Sequence, residues 1–418
     1  IMKARRYSVS LAVVVLLGVA AVSARWLGRL RPLEPELRAQ RTITVVSGAD
    51  SGPGTLREAL FATARSSERV RILLRAKRVI LRTPLPPATV AGGVVIDAAD
   101  SGCEIDGAAV PGGPLLDLTS ARSSIVGLSI RNARDQGIIV RANSILLRGL
   151  KVSRSGDGIV IGNGVVQTRI EQSAFDSNVT GIRILYPPVQ CVIQDNTFRN
   201  HDEAAIWSSA PAPIGGDAAA RVIVQRNRFE GDRISIALMN VPGIIIGNEI
   251  SRDRQTGMYL FGSRAIVRRN RIHGGGIGLM ADGEQGSVIA QNEIDRTSQV
   301  GMLVRNSRNS LVVGNRVYSN AYGIASVFGE QANPDVFDDN LIMANGIDGI
   351  WIVGAAPLIR HNDVLNNGGA AARVLDFVPW DGPRIGAAPR MENNTFRDNK
   401  INEAVRGEYR PKREEVRQ

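Results

Sequence analysis

The stretch 265–280 reads AIVRRNRIHGGGIGLM, and its two neighbours nearly repeat it: 244–260 reads IIIGNEISRDRQTGMYL and 287–303 reads SVIAQNEIDRTSQVGML. Each copy has an asparagine, an apolar residue two positions later, and then a glycine followed by an apolar residue. The asparagine recurs at intervals of 31, 21, 22, 22, 23, 25, 22 and 32 residues, at Asn196, Asn227, Asn248, Asn270, Asn292, Asn315, Asn340, Asn362 and Asn394. A short, nearly fixed period is typical of a solenoid, in which each repeat buries its apolar face only against its neighbours.

Within one repeat the apolar residues alternate with polar ones, which is the period of a β-strand. In the quoted copy, Val267, Ile272 and Leu279 mark three such runs, each rich in β-branched residues and bounded by turn residues. The pattern therefore predicts three short strands per repeat. Leucine-rich repeats also stack asparagines in units of similar length, but they need a leucine-heavy strand and a helical return segment, and neither is present.

The repeated asparagine has a structural explanation. A sharp bend between two strands leaves backbone groups that the sheets cannot pair, and an asparagine side chain can both donate to and accept from such groups. Side chains stacked about 4.8 Å apart can also bond to one another along the solenoid axis. We therefore predict a ladder of buried asparagines, with no role as ligands.

These features resemble the right-handed parallel β-helix of the pectate-lyase-like families over roughly residues 90–399. The stretch 50–67, DSGPGTLREALFATARSS, is similar to the D-S-G-x-G-S-L-R-E-A motif that opens many exported bacterial β-helix proteins. The resemblance implies an all-β right-handed parallel β-helix of about a dozen coils, with three strands per coil and an N-terminal capping helix. Thr55 and Glu58 have the spacing of a capping box, so we place the start of that helix at Thr55. The fold hosts lyases, hydrolases, epimerases, adhesins and non-catalytic factors, so it specifies function weakly.

The first residues indicate export. Three basic side chains precede the apolar run 10–24, which has the length of a secretory signal and ends in small residues. An uncleaved inner-membrane anchor remains the alternative, so we expect a periplasmic or extracellular protein, free or anchored to the inner membrane. We divide the chain into a signal peptide or anchor (1–24), a linker (25–41), an N-terminal cap region (42–93), the β-helix (94–399) and a polar tail (400–418).

Charge and metal-ligating residues limit the partners. Of the net charge of +11, residues 1–41 carry +6, so the body is near neutral for its size and no nucleic-acid partner is predicted. Cys103 and Cys191 lie about four coils apart, roughly 19 Å, beyond the reach of a disulfide. The three histidines occupy different positions of the repeat, so no metal site or cofactor is predicted. The sequence does not specify an oligomeric state.

Two of the three outward faces differ in character. On the strand after the asparagine, successive coils present Arg228, Glu249, Arg271, Glu293 and Arg316, which predicts a structural ladder of alternating charges. The third strand instead presents large side chains outward, and the candidate substrate-binding residues are Trp207, Tyr259, Phe261, Trp351 and Arg305. Aromatic rings along a groove can stack on sugars, and an arginine can bind a carboxylate. The alternative is that the long loops 208–220 and 376–390 fold over these aromatic residues.

Acidic side chains gather in the turn before the third strand and supply candidate catalytic groups. The candidates are Asp157, Asp202, Glu203 and Asp232, with His201 among them and Arg183 on a neighbouring strand. Carboxylates one or two coils apart suit glycosidic hydrolysis, and a basic side chain can abstract a proton from a uronate. Aspartates in turns also serve simply to pair backbone donors.

We therefore expect an exported β-helix protein that binds or modifies an extracellular or periplasmic polysaccharide, with acidic polysaccharides among the candidates. If it is an enzyme, it is a polysaccharide lyase, an epimerase or a glycoside hydrolase. The alternative is a non-catalytic β-helix, which would be a scaffold, an adhesin or a periplasmic maturation factor.

Overall fold

The computed structural model describes residues 39–64, 66–185, 189–212, 222–380 and 382–411. The expected signal or anchor segment, and the linker up to residue 38, lie outside these ranges. Within the described residues, no helix is long and apolar enough to cross a membrane.

The chain forms a right-handed parallel β-helix of about 13 turns, which confirms the fold predicted from the repeat. One coil contains the strands Ile266–Arg268, Arg271–His273 and Ile277–Asp282, separated by short turns. Each strand pairs in parallel with the equivalent strand of the next coil, so the three strands of every coil join three separate sheets. Apolar side chains from all three sheets fill one continuous core.

The strands that the structure describes are as follows, in chain order within each sheet. The first sheet contains Arg41–Val45, Val70–Leu74, Val94–Asp97, Ser124–Val126, Ile145–Arg148, Val166–Glu171, Val189–Gln194, Val222–Gln225, Gly243–Ile246, Ile266–Arg268, Val288–Ala290, Leu311–Val313, Val336–Asp338, Leu358–Arg360 and Arg390–Glu392. The second sheet contains Arg78–Ile80, Glu104–Asp106, Ser129–Arg131, Lys151–Ser153, Ala174–Asp176, Thr197–Arg199, Arg228–Glu230, Glu249–Ser251, Arg271–His273, Glu293–Asp295, Arg316–Tyr318, Leu341–Met343, Asp363–Leu365 and Thr395–Arg397. The third sheet contains Pro114–Leu118, Gln136–Val140, Asp157–Ile161, Thr180–Ile184, Ala204–Ser209, Ile234–Met239, Thr256–Phe261, Ile277–Asp282, Val300–Arg305, Tyr322–Val327, Ile350–Val353, Ala370–Phe377 and Ile401–Tyr409.

One helix, α1 (Leu56–Thr63), occurs among the described residues, and it begins where the motif predicted. The Thr55 hydroxyl accepts the Glu58 N–H, while the Glu58 carboxylate accepts the Gly54 N–H at 2.6 Å. Leu56 and Leu60 are fully buried and join the core at the N-terminal end of the first sheet. Strands also form outside the range assigned to the β-helix: Ile401–Tyr409, assigned to the polar tail, is the last strand of the third sheet.

The asparagine column runs from Asn196 to Asn394 as one chain of hydrogen bonds. From Asn227 onward, each Oδ1 accepts both the backbone N–H and the side-chain Nδ2–H of the asparagine in the preceding coil, and the side-chain bonds measure 2.9–3.1 Å. Asn196 Oδ1 accepts the Ser173 N–H. Nδ2 also donates to a carbonyl of the preceding coil, as Asn270 does to Ile245 at 3.0 Å. The residue before each asparagine has positive φ, for example 55° at Arg269. Every column member is therefore bonded to the turn it stabilises.

A second buried column, which the sequence analysis missed, lies five residues after the first. Its members are Asn178, His201, Asp232, Asp253, Gly275, Thr297, Asn320, Asn345, Asn367 and Asn399. Where its members are asparagines the hydrogen bonds repeat those of the first column, as between Asn320 and Asn345, whose Oδ1 accepts the Asn320 backbone N–H at 3.0 Å. Asn402 folds back to accept the Asn399 N–H at 2.8 Å and so ends the column. The two turns that flank the second strand of each coil thus use the same chemistry.

The charge ladder on the second sheet has the predicted register but not the predicted ion pairs. Arg228 aligns with Glu249, and the alternation continues in register to Arg316. Of the four adjacent pairs in this ladder, only Arg271 and Glu293 approach within 4 Å, with Arg271 Nε 3.4 Å from Glu293 Oε2. The expectation of a continuous ladder of ion pairs is therefore corrected, because the side chains of Arg228, Arg271 and Arg316 are exposed to solvent.

Candidate functional site

The third sheet carries the outward side chains that the sequence singled out. Six consecutive coils contribute one residue each to a single outward column, in the order Arg183, Trp207, Ala237, Tyr259, Met280 and Leu303. The side chains are outward because the strand alternates, and the residues on either side, such as Met258 and Leu260, are fully buried in the core.

Trp207 and Tyr259 flank Ala237 in this column. Because adjacent strands are about 4.8 Å apart, the two rings start from backbones about 10 Å apart, with only a methyl group between them. Both aromatic residues are half-buried, and Ala237 is buried. The column therefore has a low point between two rings, and the aromatic faces remain partly accessible.

A parallel outward column lies two residues further along each strand. Met239, Phe261, Asp282 and Arg305 succeed one another there in register. Phe261 is 38% exposed, and Arg305 donates to the Asp282 carboxylate at 2.5 Å. Burial raises the pKa of Tyr259 in the adjoining column, and the Asp282 charge raises it further, against an opposing effect of Arg305.

Trp351 belongs to a different aromatic group, near the C-terminal end of the third sheet. Its ring lies 5.6 Å from that of Tyr322 and 5.8 Å, edge to face, from that of Tyr409. Four coils, about 19 Å, separate its strand from that of Tyr259. The structure therefore does not bring Trp351 together with the other candidate binding residues. Residues 213–220 of the loop 208–220, which was the alternative cover for Trp207, lie outside the described part of the chain.

Arg183 joins two of the candidate catalytic carboxylates. Its Nε donates to both Asp157 oxygens at 2.9 Å, and its Nη2 donates to Glu203 Oε2 at 2.5 Å and to Thr180 Oγ1 at 2.7 Å. The three charged residues come from three successive coils, with the arginine in the middle one. Burial opposes the charge of Arg183, but the hydrogen bonds to Asp157 and Glu203 prevail and raise the pKa of the guanidinium.

His201 and Asp232 lie inside the solenoid. Both side chains are fully buried in the second column, where His201 Nδ1 and Asp232 Oδ1 are 2.7 Å apart. Neither group can touch a bound polymer in this arrangement. Asp202 is exposed and lies 3.3 Å from the Arg254 guanidinium. Of the six candidate catalytic residues, the structure brings Asp157, Arg183 and Glu203 together on the surface beside Trp207.

The surface cluster has groups for binding and for proton transfer, but no group for metal or thiol chemistry stands out among the described residues. Asp157 and Glu203 share the Arg183 guanidinium, so one oxygen or more of each carboxylate already accepts a hydrogen bond. The described residues contain no group of three or more His, Cys, Asp or Glu side chains that could hold a metal ion. Burial raises the pKa of Cys103 to about 11 and that of Cys191 to about 12, so neither thiol is a nucleophile at neutral pH.

Sequence reasoning missed three contributors to this surface. Thr180 bonds both Arg183 and Glu203, Met239 aligns with Phe261, and Asp282 holds Arg305. A signal for two of them was present in the repeat, since Asp282 lies 23 residues before Arg305 and Thr180 lies 23 residues before Glu203. Both spacings equal about one coil.

Comparison with known proteins bears on the fold. A family model described as "Right handed beta helix region" matches residues 212–367. None of the curated proteins compared with the chain matches it.

Among solved structures, the periplasmic alginate epimerase AlgG is 14% identical, with 74% of this chain and 76% of that chain covered and a TM-score of 0.45. The A-module of the Azotobacter vinelandii mannuronan C-5 epimerase AlgE4 is 10% identical, with 89% and 97% covered and a TM-score of 0.44. The Streptococcus pneumoniae surface adhesin PfbA is 11% identical, with 88% and 93% covered and a TM-score of 0.45. At such identities the similarity concerns the fold alone.

Proposed function

We propose that this chain binds a polysaccharide along the outer face of its third sheet, outside the cytoplasm. The observation that carries the proposal is the pair Trp207 and Tyr259 on either side of Ala237. An outward position on a solvent-facing strand normally holds a polar residue, so two partly accessible rings at regular spacing need an explanation. Rings about 10 Å apart match two sugar units of a chain that lies along the solenoid axis.

Polar groups at both ends of this surface can bind sugar hydroxyls. Arg183 with Asp157 and Glu203 lies at one end, and Arg305 with Asp282 lies at the other. Both arginines are already paired with carboxylates, so a uronate would have to displace an internal partner. Neutral, hydroxyl-rich glycans therefore fit this surface better than strongly acidic ones, because hydroxyls can bond to the ion pairs without breaking them.

The binding test uses alanine variants of the two rings. We expect Trp207→Ala and Tyr259→Ala each to weaken binding of the glycan selected from a neutral and uronate-containing panel by about tenfold, or about 1.4 kcal/mol. Isothermal calorimetry measures the affinity, and thermal melts check the fold. Tyr318→Ala, a matched truncation on the second sheet, should leave affinity unchanged. Unchanged affinity in both third-sheet variants would exclude this surface.

A catalytic role for the same surface is the second candidate, favoured by the contact of Asp157 and Glu203 with Arg183. A carboxylate side chain held beside a guanidinium can serve as the base that removes the proton next to a uronate carboxylate, as in a lyase or epimerase. Under this candidate, Asp157→Asn and Glu203→Gln should retain binding and lose turnover, followed by the absorbance of unsaturated product and by proton exchange with solvent. Under the scaffold or adhesin alternative, the wild-type protein has no turnover to lose.

A further inference from the structure

The part of the second column beneath the proposed binding surface is built differently from the rest. Asn178 Nδ2 donates to the Val152 carbonyl and its Oδ1 accepts the Ser155 N–H, so the orientation of the amide is fixed. The same Nδ2 faces His201 Nε2 at 3.3 Å, and an amide nitrogen can only donate. Nε2 is therefore an acceptor, and the proton of a neutral His201 lies on Nδ1.

That proton points at Asp232. His201 Nδ1 lies 2.7 Å from Asp232 Oδ1, and the same oxygen accepts the His201 backbone N–H at 2.9 Å. One carboxylate oxygen of Asp232 is thus fully used. The other, Oδ2, has only the Ser235 hydroxyl at 3.5 Å.

Asp253 occupies the next position of the column and has no partner of this kind. Its side chain is 3% exposed, and neither of its oxygens has a hydrogen bond of normal length from any described residue; Ser235 and the Asp232 backbone N–H approach it only at longer range. The following member is Gly275, where even a Cβ would lie 2.8 Å from the Asp253 carbonyl oxygen, so no donor side chain fits there. An ionised carboxylate in this position would be buried, without a cation or a hydrogen bond of normal length, and next to a second buried carboxylate, which is strongly unfavourable.

We propose that Asp253 carries a proton in the folded protein at neutral pH and donates it to Asp232, which makes Asn178, His201, Asp232 and Asp253 one hydrogen-bonded chain. A proton supplies the missing donor and removes one of two adjacent charges in a single step. Burial first, and then the Asp232 charge, raise the pKa of Asp253 well above its usual range, with Ser235 acting in the opposite direction.

The charged groups around the pair are few. His201 and Asp232 face Asp253 from the N-terminal side of the column, and residues 274–276 on the other side are all glycine. Arg252 and Arg254 flank Asp253 in its own turn and point outward, where Arg252 pairs with Glu230 and Arg254 reaches the His201 carbonyl at 2.6 Å. Neither guanidinium compensates a charge on Asp253, since neither bonds to it.

The chain has a consequence for the surface above it, and this part rests on the proposed function. His201 is two residues before Glu203, the carboxylate that holds Arg183. Loss of the Asp253 proton would place two like charges about 5 Å apart and push the column members away from each other. Arg254 ties the Asp253 turn to the His201 carbonyl, so the displacement would reach Glu203. Asp253 is then a positioning residue, and the loss of its proton at alkaline pH weakens glycan binding.

The test compares wild type with Asp253→Asn, whose amide can donate to Asp232 as the proposed carboxyl does. Isotope-edited infrared spectroscopy should show a protonated-carboxyl band in the wild type at neutral pH that the variant lacks. Because the folded state holds this proton more tightly than the unfolded chain, wild-type stability should fall as pH rises through the folded pKa, and the variant should not show that fall. Asp176→Asn, an exposed carboxyl on the second sheet, is the matched control and should follow the wild type.

Each outcome decides the inference. A protonated-carboxyl band of equal intensity in wild type and Asp253→Asn at neutral pH overturns it. A melting temperature that depends on sodium or potassium ions also overturns it, because a bound cation would then replace the proton. If the band is present but the protein binds no glycan, the proton stands and the proposed function fails. If glycan binding weakens at alkaline pH equally in wild type and variant, the positioning role is rejected.

Discussion

Asp335 shows how a single buried carboxyl shapes the response of the protein to pH. It lies in the turn before the strand Val336–Asp338, and its Oδ1 accepts the Ser310 N–H at 2.9 Å. Burial raises the pKa of Asp335 to about 6, although the hydrogen bonds from Ser310 act in the opposite direction. The folded state therefore favours the protonated form, and the stability that this group contributes is lost as pH rises from about 4 to about 6.

Replacing Asp335 with asparagine should remove that loss. The amide keeps an acceptor for Ser310 and never ionises, so at pH 8 the variant should be more stable than the wild type by up to about 3 kcal/mol, and near pH 4 the two should be equal. Urea denaturation at several pH values measures the difference. If the difference in stability between the variant and the wild type is the same at pH 8 as at pH 4, Asp335 ionises without cost to the folded state.

The two turns that flank the second strand of each coil owe their stability to the two buried columns. The first column, which is all asparagine, allows a direct test. Asn270→Leu removes the acceptor for the Asn248 N–H and both donations of Nδ2, so buried backbone groups lose partners while the added apolar surface compensates only in part. We expect a loss of about 1–3 kcal/mol in the free energy of unfolding. Arg271→Leu, at the next and exposed position, is the control and should change stability by less than about 0.5 kcal/mol.

The sequence predicted the first column but not the second, and the reason is chemical. The first column is asparagine in nine successive coils, so identity alone reveals it. The second column has asparagine, histidine, aspartate, threonine or glycine at the equivalent position. It tolerates this variety because several side chains can accept a turn N–H, and because a turn with glycine forms without a side-chain acceptor. The spacing of five residues between Asn315 and Asn320, repeated at Asn340 and Asn345, was the available signal.

The candidate site was predictable in position but not in its contacts. Alternation along the strand correctly placed Trp207 and Tyr259 outward, and the period correctly placed Asp157 and Glu203 two coils apart. The sequence did not show which side chains are buried. His201 lies in the same turn as Glu203, and Asp232 lies in the equivalent turn of the next coil. Only backbone geometry distinguishes the inward positions from the outward one. Pairing was also missed, since a strand pattern does not show which acceptors a long arginine selects.

The three sheets and both columns keep the same register from coil to coil, so a whole coil should be removable. Deletion of residues 266–287 would join Ala265 to Val288 and place Asn292 under Asn248 and Thr297 under Asp253. We expect a folded, cooperatively melting protein, because all three strand pairings are restored in parallel register. Deletion of 266–276, half a coil, is the control and should not fold, because it leaves Ile277–Asp282 without the other two strands of its coil. Circular dichroism and thermal melts distinguish the two, and equal behaviour would contradict the prediction.

The parallel stacking also determines how the molecule would respond to force. Hydrogen bonds between coils, in the sheets and in both columns, run along the long axis, so tension that separates the ends of the solenoid loads one coil boundary at a time. Each coil that detaches releases about 22 residues, or roughly 75 Å of extended chain, in exchange for about 4.8 Å of solenoid length. A protein of this design yields to tension by lengthening in steps, and it dissipates work at each step while the remaining coils stay folded.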